Sequence, residues 1–249
     1  MNFYREPDLL VRKISVWIEQ KIHESGRTGG IVGLSGGVDS AVVAALLKRV
    51  CGKSMLAVMM PCHSREEDLE DAMKVVEAFD LPWITVDLSA TYDSLLDALP
   101  VEISSGSGLH LSNIKPRLRM ATLYCIGQKK GFIVCGTGNR AELTMGYFTK
   151  HGDSGVDILP LGDLLKGEVN LVAKELGVPP GIIKKPPSAG LWPGQTDEGE
   201  MGISYQELDR FIATGKSDEK SINIIKRAFE RSDHKRSSPP ICLIEPDNA

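Results

Sequence analysis

The chain has few cysteines, and none sits in a metal-binding or disulfide-forming pattern. Cys51, Cys62, Cys125, Cys135 and Cys242 are an odd set in 249 residues with no Cys-x-x-Cys pair, so a zinc ribbon or a disulfide-stapled secreted fold is not expected. Cys51, Cys125 and Cys135 lie in or beside apolar segments, where a small buried thiol is the expectation. No stretch approaches the roughly 20 apolar residues that span a bilayer, and no basic N-terminal region leads into an apolar one. A protein with no membrane partner, in a reducing cytoplasm, is expected. Positive charge is also short: 29 Lys plus Arg against 33 Asp plus Glu leave a net charge of −4. That field repels phosphate backbones and argues against nucleic acid as a partner. Internal repeats and low-complexity tracts are absent. With 42% apolar residues, the chain can bury one substantial core, and a single domain over residues 1–249 is the default.

The most informative segment is the apolar run Ile31 to Leu34 followed by Ser35-Gly36-Gly37-Val38-Asp39-Ser40, with a helical pattern from Val38 onward. The string lacks the Gly-x-x-x-x-Gly-Lys-Ser/Thr spacing of a lysine-bearing phosphate loop and the Gly-x-Gly-x-x-Gly of dinucleotide folds. It still makes an anion cradle. Glycines bring backbone close to a ligand, and free N–H groups at the helix start point outward with the hydroxyls of Ser35 and Ser40. A carboxylate there, Asp39, makes sense where a divalent cation sits between it and phosphate oxygens. This loop resembles that of the ATP pyrophosphatases, enzymes that cut ATP between its α- and β-phosphates.

Helix and strand periods alternate along the first part of the chain. Leu9, Leu10, Ile14, Trp17, Ile18 and Ile22 predict an amphipathic helix ending near Gly26. Strands are expected at Ile31 to Leu34, Met55 to Met60, Trp83 to Asp87 and Phe132 to Cys135, with helices from Val38 to Gly52, Arg65 to Phe79, Tyr92 to Ala98 and Ser112 to Lys130. This rhythm predicts an α/β fold, a doubly wound parallel sheet with helices on both faces. Ligands then bind beyond the carboxyl ends of the strands, where the loops after Leu34, Met60 and Cys135 meet. Ser104 to Gly108 is small, polar and glycine-rich and reads as well as a linker as it does as a functional loop. Beyond Gly146 the alternation fades, with helices expected at Lys166 to Leu176, Ser204 to Ala213 and Asp218 to Arg231.

A second informative block, Gly136-Thr-Gly-Asn-Arg-Ala-Glu142 through Tyr147-Phe-Thr-Lys150, Asp157 and Lys166, follows a strand end directly. Together with Asn113-Ile-Lys-Pro-Arg117-Leu-Arg-Met, Pro187-Ser188-Ala-Gly-Leu-Trp-Pro-Gly-Gln-Thr-Asp-Glu-Gly-Glu and His234-Lys235-Arg236, it closely resembles the NAD synthetase family, from about Gly33 to Arg236. That family has the adenine nucleotide alpha hydrolase-like form of the α/β fold. The resemblance implies ATP-dependent amidation of nicotinic acid adenine dinucleotide by ammonia, in which the acid is first joined to AMP.

Matched residue by residue, the resemblance assigns ATP to Gly33, Leu34, Ser35, Gly36, Gly37, Val38, Asp39, Ser40, Thr137, Lys166 and Ser188. It assigns Mg²⁺ to Asp39 and Glu142, and the acid dinucleotide (deamido-NAD) to Arg117, Lys150, Asp157, His234 and Lys235. No residue is assigned a catalytic role beyond ligand binding. Taken without the resemblance, Glu142 reads first as a helix N-terminal acid or a surface ion pair. Arg117 and the basic run at His234 to Arg236 read equally as solvated surface, with Arg119 pointing elsewhere. A homodimer is implied by the family's shared substrate site. Only about thirty residues precede the phosphate loop, too few for a glutaminase domain, so free ammonia is the expected nitrogen donor. Ser188 to Gly202, with four glycines plus Leu191 and Trp192, is expected to be a lid that orders over ligands. The competing readings are a tRNA-modifying adenylating enzyme and a nonenzymatic ATP-binding module.

Overall fold

The computed structural model describes residues 3–188 and 196–244. Helix α1 (Pro7–Glu24) leads into β1 (Gly29–Gly33), α2 (Val38–Cys51), β2 (Met55–Met59), α3 (Glu66–Phe79) and β3 (Trp83–Thr85). Next come α4 (Ser89–Ala98), the short α5 (Val101–Ser104) and α6 (Leu109–Ser112), α7 (Ile114–Lys130), β4 (Phe132–Cys135) and α8 (Arg140–Met145). The remainder holds α9 (Lys166–Leu176), α10 (Pro180–Lys184), α11 (Asp197–Met201), α12 (Tyr205–Thr214), α13 (Glu219–Arg231) and α14 (Asp233–Arg236).

The four strands form one parallel sheet in the order β3-β2-β1-β4. Strand periodicity sorts their side chains between two faces. Val32, Ala57, Met59, Ile133 and Cys135 pack with α1, α2, α3 and α9, whereas Ile31, Leu56, Val58 and Val134 pack with α4 and α7. Both faces are covered, which is why the strands read as continuous apolar runs. Deleting a large core side chain such as Ile18 or Leu46, both fully buried, costs about 2–5 kcal/mol on the usual scale.

The C-terminal helices build a smaller apolar cluster. Met201, Ile203, Tyr205, Leu208 and Ile225 pack against Ala141 and Met145 of α8, so these helices brace the loop that leaves β4. Ser105 to Gly108 joins two single-turn helices. Cys51 is half-buried and Cys135 buried as expected, but Cys125 is exposed. In the C-terminal half of α7 the buried positions are Leu123 and Gly127, and position 125, two residues from each, faces away. Among the described residues no helix is long and apolar enough to cross a membrane.

Candidate active site

The turn from β1 into α2 is shaped by its own hydroxyls. Ser40 Oγ donates to the Gly37 carbonyl (2.9 Å) and accepts from the Ser35 amide (3.2 Å), with Ser35 Oγ 3.1 Å away. Gly37, with φ −90°, caps α2, leaving the first amides of α2 facing outward as an anion site. Gly36 has φ +79°, and a Cβ there would lie 2.5 Å from the Asp68 carbonyl oxygen on α3. Both conformation and space require glycine.

The β4 loop brings a second set of groups to the same rim. Asn139 caps α8 by accepting from the Glu142 amide, and its own amide donates to Glu142 Oε2, both at 3.0 Å. Its side-chain Nδ2 donates to Asp39 Oδ1 at 3.0 Å, so one asparagine joins the two carboxylates assigned to a metal. Lys166, the first residue of α9, places Nζ 2.5 Å from Asp39 Oδ2. Burial pulls the Lys166 pKa down, but Asp39 and Glu142 outweigh it and hold it above its ordinary value. Glu142 is pushed well up, first by burial and then by Asp39, against the pull of Lys166. Glu142 is therefore both the helix N-terminal acid and a member of the site.

Asp197 completes this corner. It is 4% exposed, and Oδ2 accepts from the Tyr205 hydroxyl at 2.9 Å. Oδ1 is the one buried side-chain polar atom without a hydrogen-bond partner among the described residues. Burial raises the Asp197 pKa. The Lys166 ammonium lies 5.2 Å from the Tyr205 ring centroid, within cation–π range.

Asp39, Glu142, Lys166 and Asp197 line a cavity of about 590 Å³ that also takes in Ser35, Thr137, Ser188, Arg117, Lys150, His234 and Lys235. Lys235 Nζ donates to the carbonyls of Gly146 and Phe148, both at 2.8 Å, and Lys150 Nζ to the His234 carbonyl. Lys235 thus fastens the C-terminal basic run to the segment after α8, while His234 stays exposed. Asp157 is exposed next to the wall residue Val156 and is not itself part of the lining; its carboxylate accepts from the Val134 amide (2.8 Å) and the Tyr124 hydroxyl (3.0 Å). Arg119, expected to point away from Arg117, shares the cavity wall with it. It donates from Nε to the Met60 carbonyl at 3.1 Å, and burial lowers its pKa. Residues 189–195 of the expected lid lie outside the described residues. Asp197–Met201 is helical, and Met201 and Ile203 are buried.

A model of the NAD synthase family matches residues 10–239. The chain is 46% identical over 233 residues to the NH(3)-dependent NAD(+) synthetase of Carboxydothermus hydrogenoformans, covering 93% of this chain and 96% of that one. The chain belongs to the NAD synthase family. The NMN synthetase structure from Francisella tularensis is 36% identical with a TM-score of 0.88, covering 98% and 99% of the two chains. The NH3-dependent NAD synthetase of Campylobacter jejuni, in complex with the nitrate ion, is 27% identical with a TM-score of 0.79, covering 98% and 100%. Family membership displaces the tRNA-modifying and nonenzymatic readings.

The NAD synthase fold accounts for which site residues were readable. Asn139-x-x-Glu142 is a capping-box pattern and could have announced α8, which the periodicity reading passed over. Asp197, Tyr205 and Arg119 had no such signal, because their place in the site depends on how distant helices pack. Among the described residues no group of three or more His, Cys, Asp or Glu side chains forms a metal cluster. The pair Asp39 and Glu142 nonetheless suits, by the chemistry of its oxygens, a hard cation that keeps water and takes phosphate oxygens.

Proposed function

We propose that this chain catalyses the ATP-dependent amidation of nicotinic acid adenine dinucleotide with ammonia, giving NAD, AMP and pyrophosphate. What carries the reading is the convergence of the Ser35 to Ser40 loop, Asp39, Glu142 and Lys166 at one end of a cavity whose other walls hold Arg117, Lys150, His234 and Lys235.

A pyridine carboxylate is a poor acyl donor, because amide formation would have to expel oxide. Its oxygen attacks the α-phosphorus of ATP, the bond to the β-phosphate bridging oxygen breaks, and pyrophosphate leaves. Ammonia then adds to the acyl carbon, AMP departs with the former carboxylate oxygen, and the nitrogen gives up a proton to form the amide. The first step brings two anions together, so positive charge fixed at the phosphates is what lowers its barrier. Gly33 to Ser40 would hold the triphosphate, with Thr137 and Ser188 adding hydroxyls beside it. Lys166 keeps its proton in a dry setting and offsets charge as the carboxylate approaches. Asp39 and Glu142 would hold Mg²⁺, which when bound neutralises the triphosphate and the departing pyrophosphate. Arg117 can fork onto dinucleotide phosphate oxygens.

The reading extends to work in the cytoplasm as a homodimer. Exposed Leu95, Val101, Ile103 and Leu109 on α4 to α6 support an assembly contact. A second reading, with nicotinic acid mononucleotide as the substrate, rests on the likeness to the protein named NMN synthetase. Purified protein with ATP, ammonium and each acid nucleotide, assayed for amide and AMP, decides between them. One AMP per NAD from the dinucleotide is expected, with glutamine a poor substitute for ammonium. A higher kcat/KM for the mononucleotide moves the assignment to that substrate, and no AMP with either overturns it.

A further inference from the structure

The residues ahead of α1 make contacts that the proposed reaction does not explain. Arg5 reaches the start of α9, where Nε donates to Glu168 Oε1 (2.8 Å), Nη2 to Oε2 (2.7 Å) and the main-chain amide to Oε1 (3.0 Å). The same guanidinium donates to Asp163, at Oδ2 (2.7 Å) and at the carbonyl (2.6 Å). The Tyr4 hydroxyl donates to Asp209 Oδ2 at 3.3 Å. Its ring lies so close to Gly167 that a Cβ there would sit 2.2 Å from Cζ.

Glu168 and Asp209 are each 1% exposed, and each has a second task. Glu168 Oε2 accepts from the Leu165 amide at 3.0 Å. Asp209 accepts from the amides of Lys166 (3.0 Å) and Gly167 (2.7 Å). Three consecutive amides around Lys166 are thus held by two buried carboxylates, and both carboxylates are held by residues 4 and 5. The arm also touches the other side of the site. Arg140, which opens α8, donates to Asp163 Oδ1 at 3.2 Å and through its amide to the Leu164 carbonyl at 2.9 Å.

We propose that Tyr4 and Arg5 are positioning residues for Lys166, fixing the backbone at 165–167 so that its ammonium meets Asp39 and the nucleotide. The inference rests on the reading above that Lys166 acts on ATP. A buried carboxylate stays charged and in place only while donors satisfy it, and the bidentate fork of Arg5 satisfies two oxygens at once. Lysine's long stem turns a small backbone shift at its root into a larger one at Nζ. Leu10, Val11, Ile14 and Ile18 anchor α1 in the main core without residues 4 and 5, so the helix keeps its own hold on the fold when the arm is altered.

The test uses the full chain with Arg5→Ala, Arg5→Lys and Tyr4→Phe, in wild-type and Lys166→Ala backgrounds. Arg5→Ala should lower kcat at least about tenfold while the KM for the dinucleotide stays within about twofold, the signature of misplacement rather than lost binding. Arg5→Lys, which cannot fork, should recover only part of the loss, and Tyr4→Phe should show a smaller one. In the Lys166→Ala background the Arg5→Ala effect should vanish, since both act through one group. A readout independent of turnover is the acetylation rate of Lys166, followed by mass spectrometry, which should rise in Arg5→Ala. Should Arg5→Ala not fold, Tyr4→Phe, the loss of one hydroxyl, carries the same comparison. Unchanged kcat and labelling, or an equal further loss in the Lys166→Ala background, overturns the proposal. A wild-type chain that makes no AMP instead removes the assigned reaction and leaves the labelling result to judge the arm.

Discussion

Lys166 Nζ lies 2.5 Å from Asp39 Oδ2, joining residues 127 positions apart at the tip of two helices that start at the same sheet rim. The pair ties the phosphate loop to α9, and Asn139 ties it to α8. Removing Asp39 therefore does two things. Asp39→Ala should lower turnover by roughly two orders of magnitude or more, and it should cost about 3–5 kcal/mol because the Lys166 ammonium is left buried and unpaired. Adding Lys166→Ala should return much of the stability without the turnover. Glu142→Ala should match the turnover loss at a stability cost of about 1 kcal/mol for the broken cap. Chemical denaturation beside steady-state kinetics checks this, and near-normal turnover in either single variant removes that residue as a metal ligand.

The phosphate loop offers a contrast between neighbours. Gly36→Ala forces a Cβ against the Asp68 carbonyl in a left-handed conformation, whereas at Gly37 a Cβ would meet only Ser35 Oγ at 3.4 Å. Gly36→Ala should raise the KM for ATP about tenfold or more, with Gly37→Ala near wild type, since strain of this kind costs about 1–3 kcal/mol. Equal effects at both positions would show that the loop is not seated against α3 as described.

Arg117 and Arg119 share one wall but not one environment. Arg117 makes two long contacts to the Lys150 carbonyl, both at 3.4 Å, and is exposed. Arg117→Ala should raise the KM for the dinucleotide more than that for ATP. Titrations of each substrate at saturating levels of the others measure this, and equal shifts count against the assignment.

The pH dependence of stability should carry the mark of Glu168. Burial would raise its pKa, but the hydrogen bonds from Arg5 and the Leu165 amide outweigh that and hold it below the ordinary value. A depressed folded-state pKa contributes stability above the unfolded value near 4.5, and that contribution is lost as pH falls through the folded value. Glu142, Asp153, Asp197 and Asp209 are raised and act with the opposite sign, so the comparison must be differential. Thermal midpoints from pH 7 to pH 3 should converge between wild type and Glu168→Gln at the acid end. A constant gap would mean that Glu168 is not held ionised by Arg5.

Much of the fold and part of the site could be read from local pattern. The apolar runs at 31–34, 55–60 and 132–135 became β1, β2 and β4, and the glycine-rich turn at Ser35 sits where a parallel sheet places ligands. Asp39 and Glu142 were assigned through resemblance, and the structure links them through Asn139. Arg119 and Cys125 were misjudged because a helix period gives faces but not which neighbour covers each. Asp157, given to substrate by the same resemblance, is exposed and accepts one hydrogen bond on each carboxylate oxygen, from Val134 and Tyr124, which leaves acceptor capacity on both.

Local chemistry alone settled the alternation of helix and strand, the anion-binding turn and the lack of any need for disulfides. These follow from period, glycine and hydroxyl placement within a few residues. Folding in three dimensions settled which carboxylate faces which ammonium. Asp39, Asn139, Lys166, Asp197 and the Tyr4–Arg5 arm come from five separate stretches, and their pairing depends on how α8, α9, α11 and α12 pack at the rim. Side-chain charge is encoded residue by residue, but the energy of a buried charge depends on its distance to another.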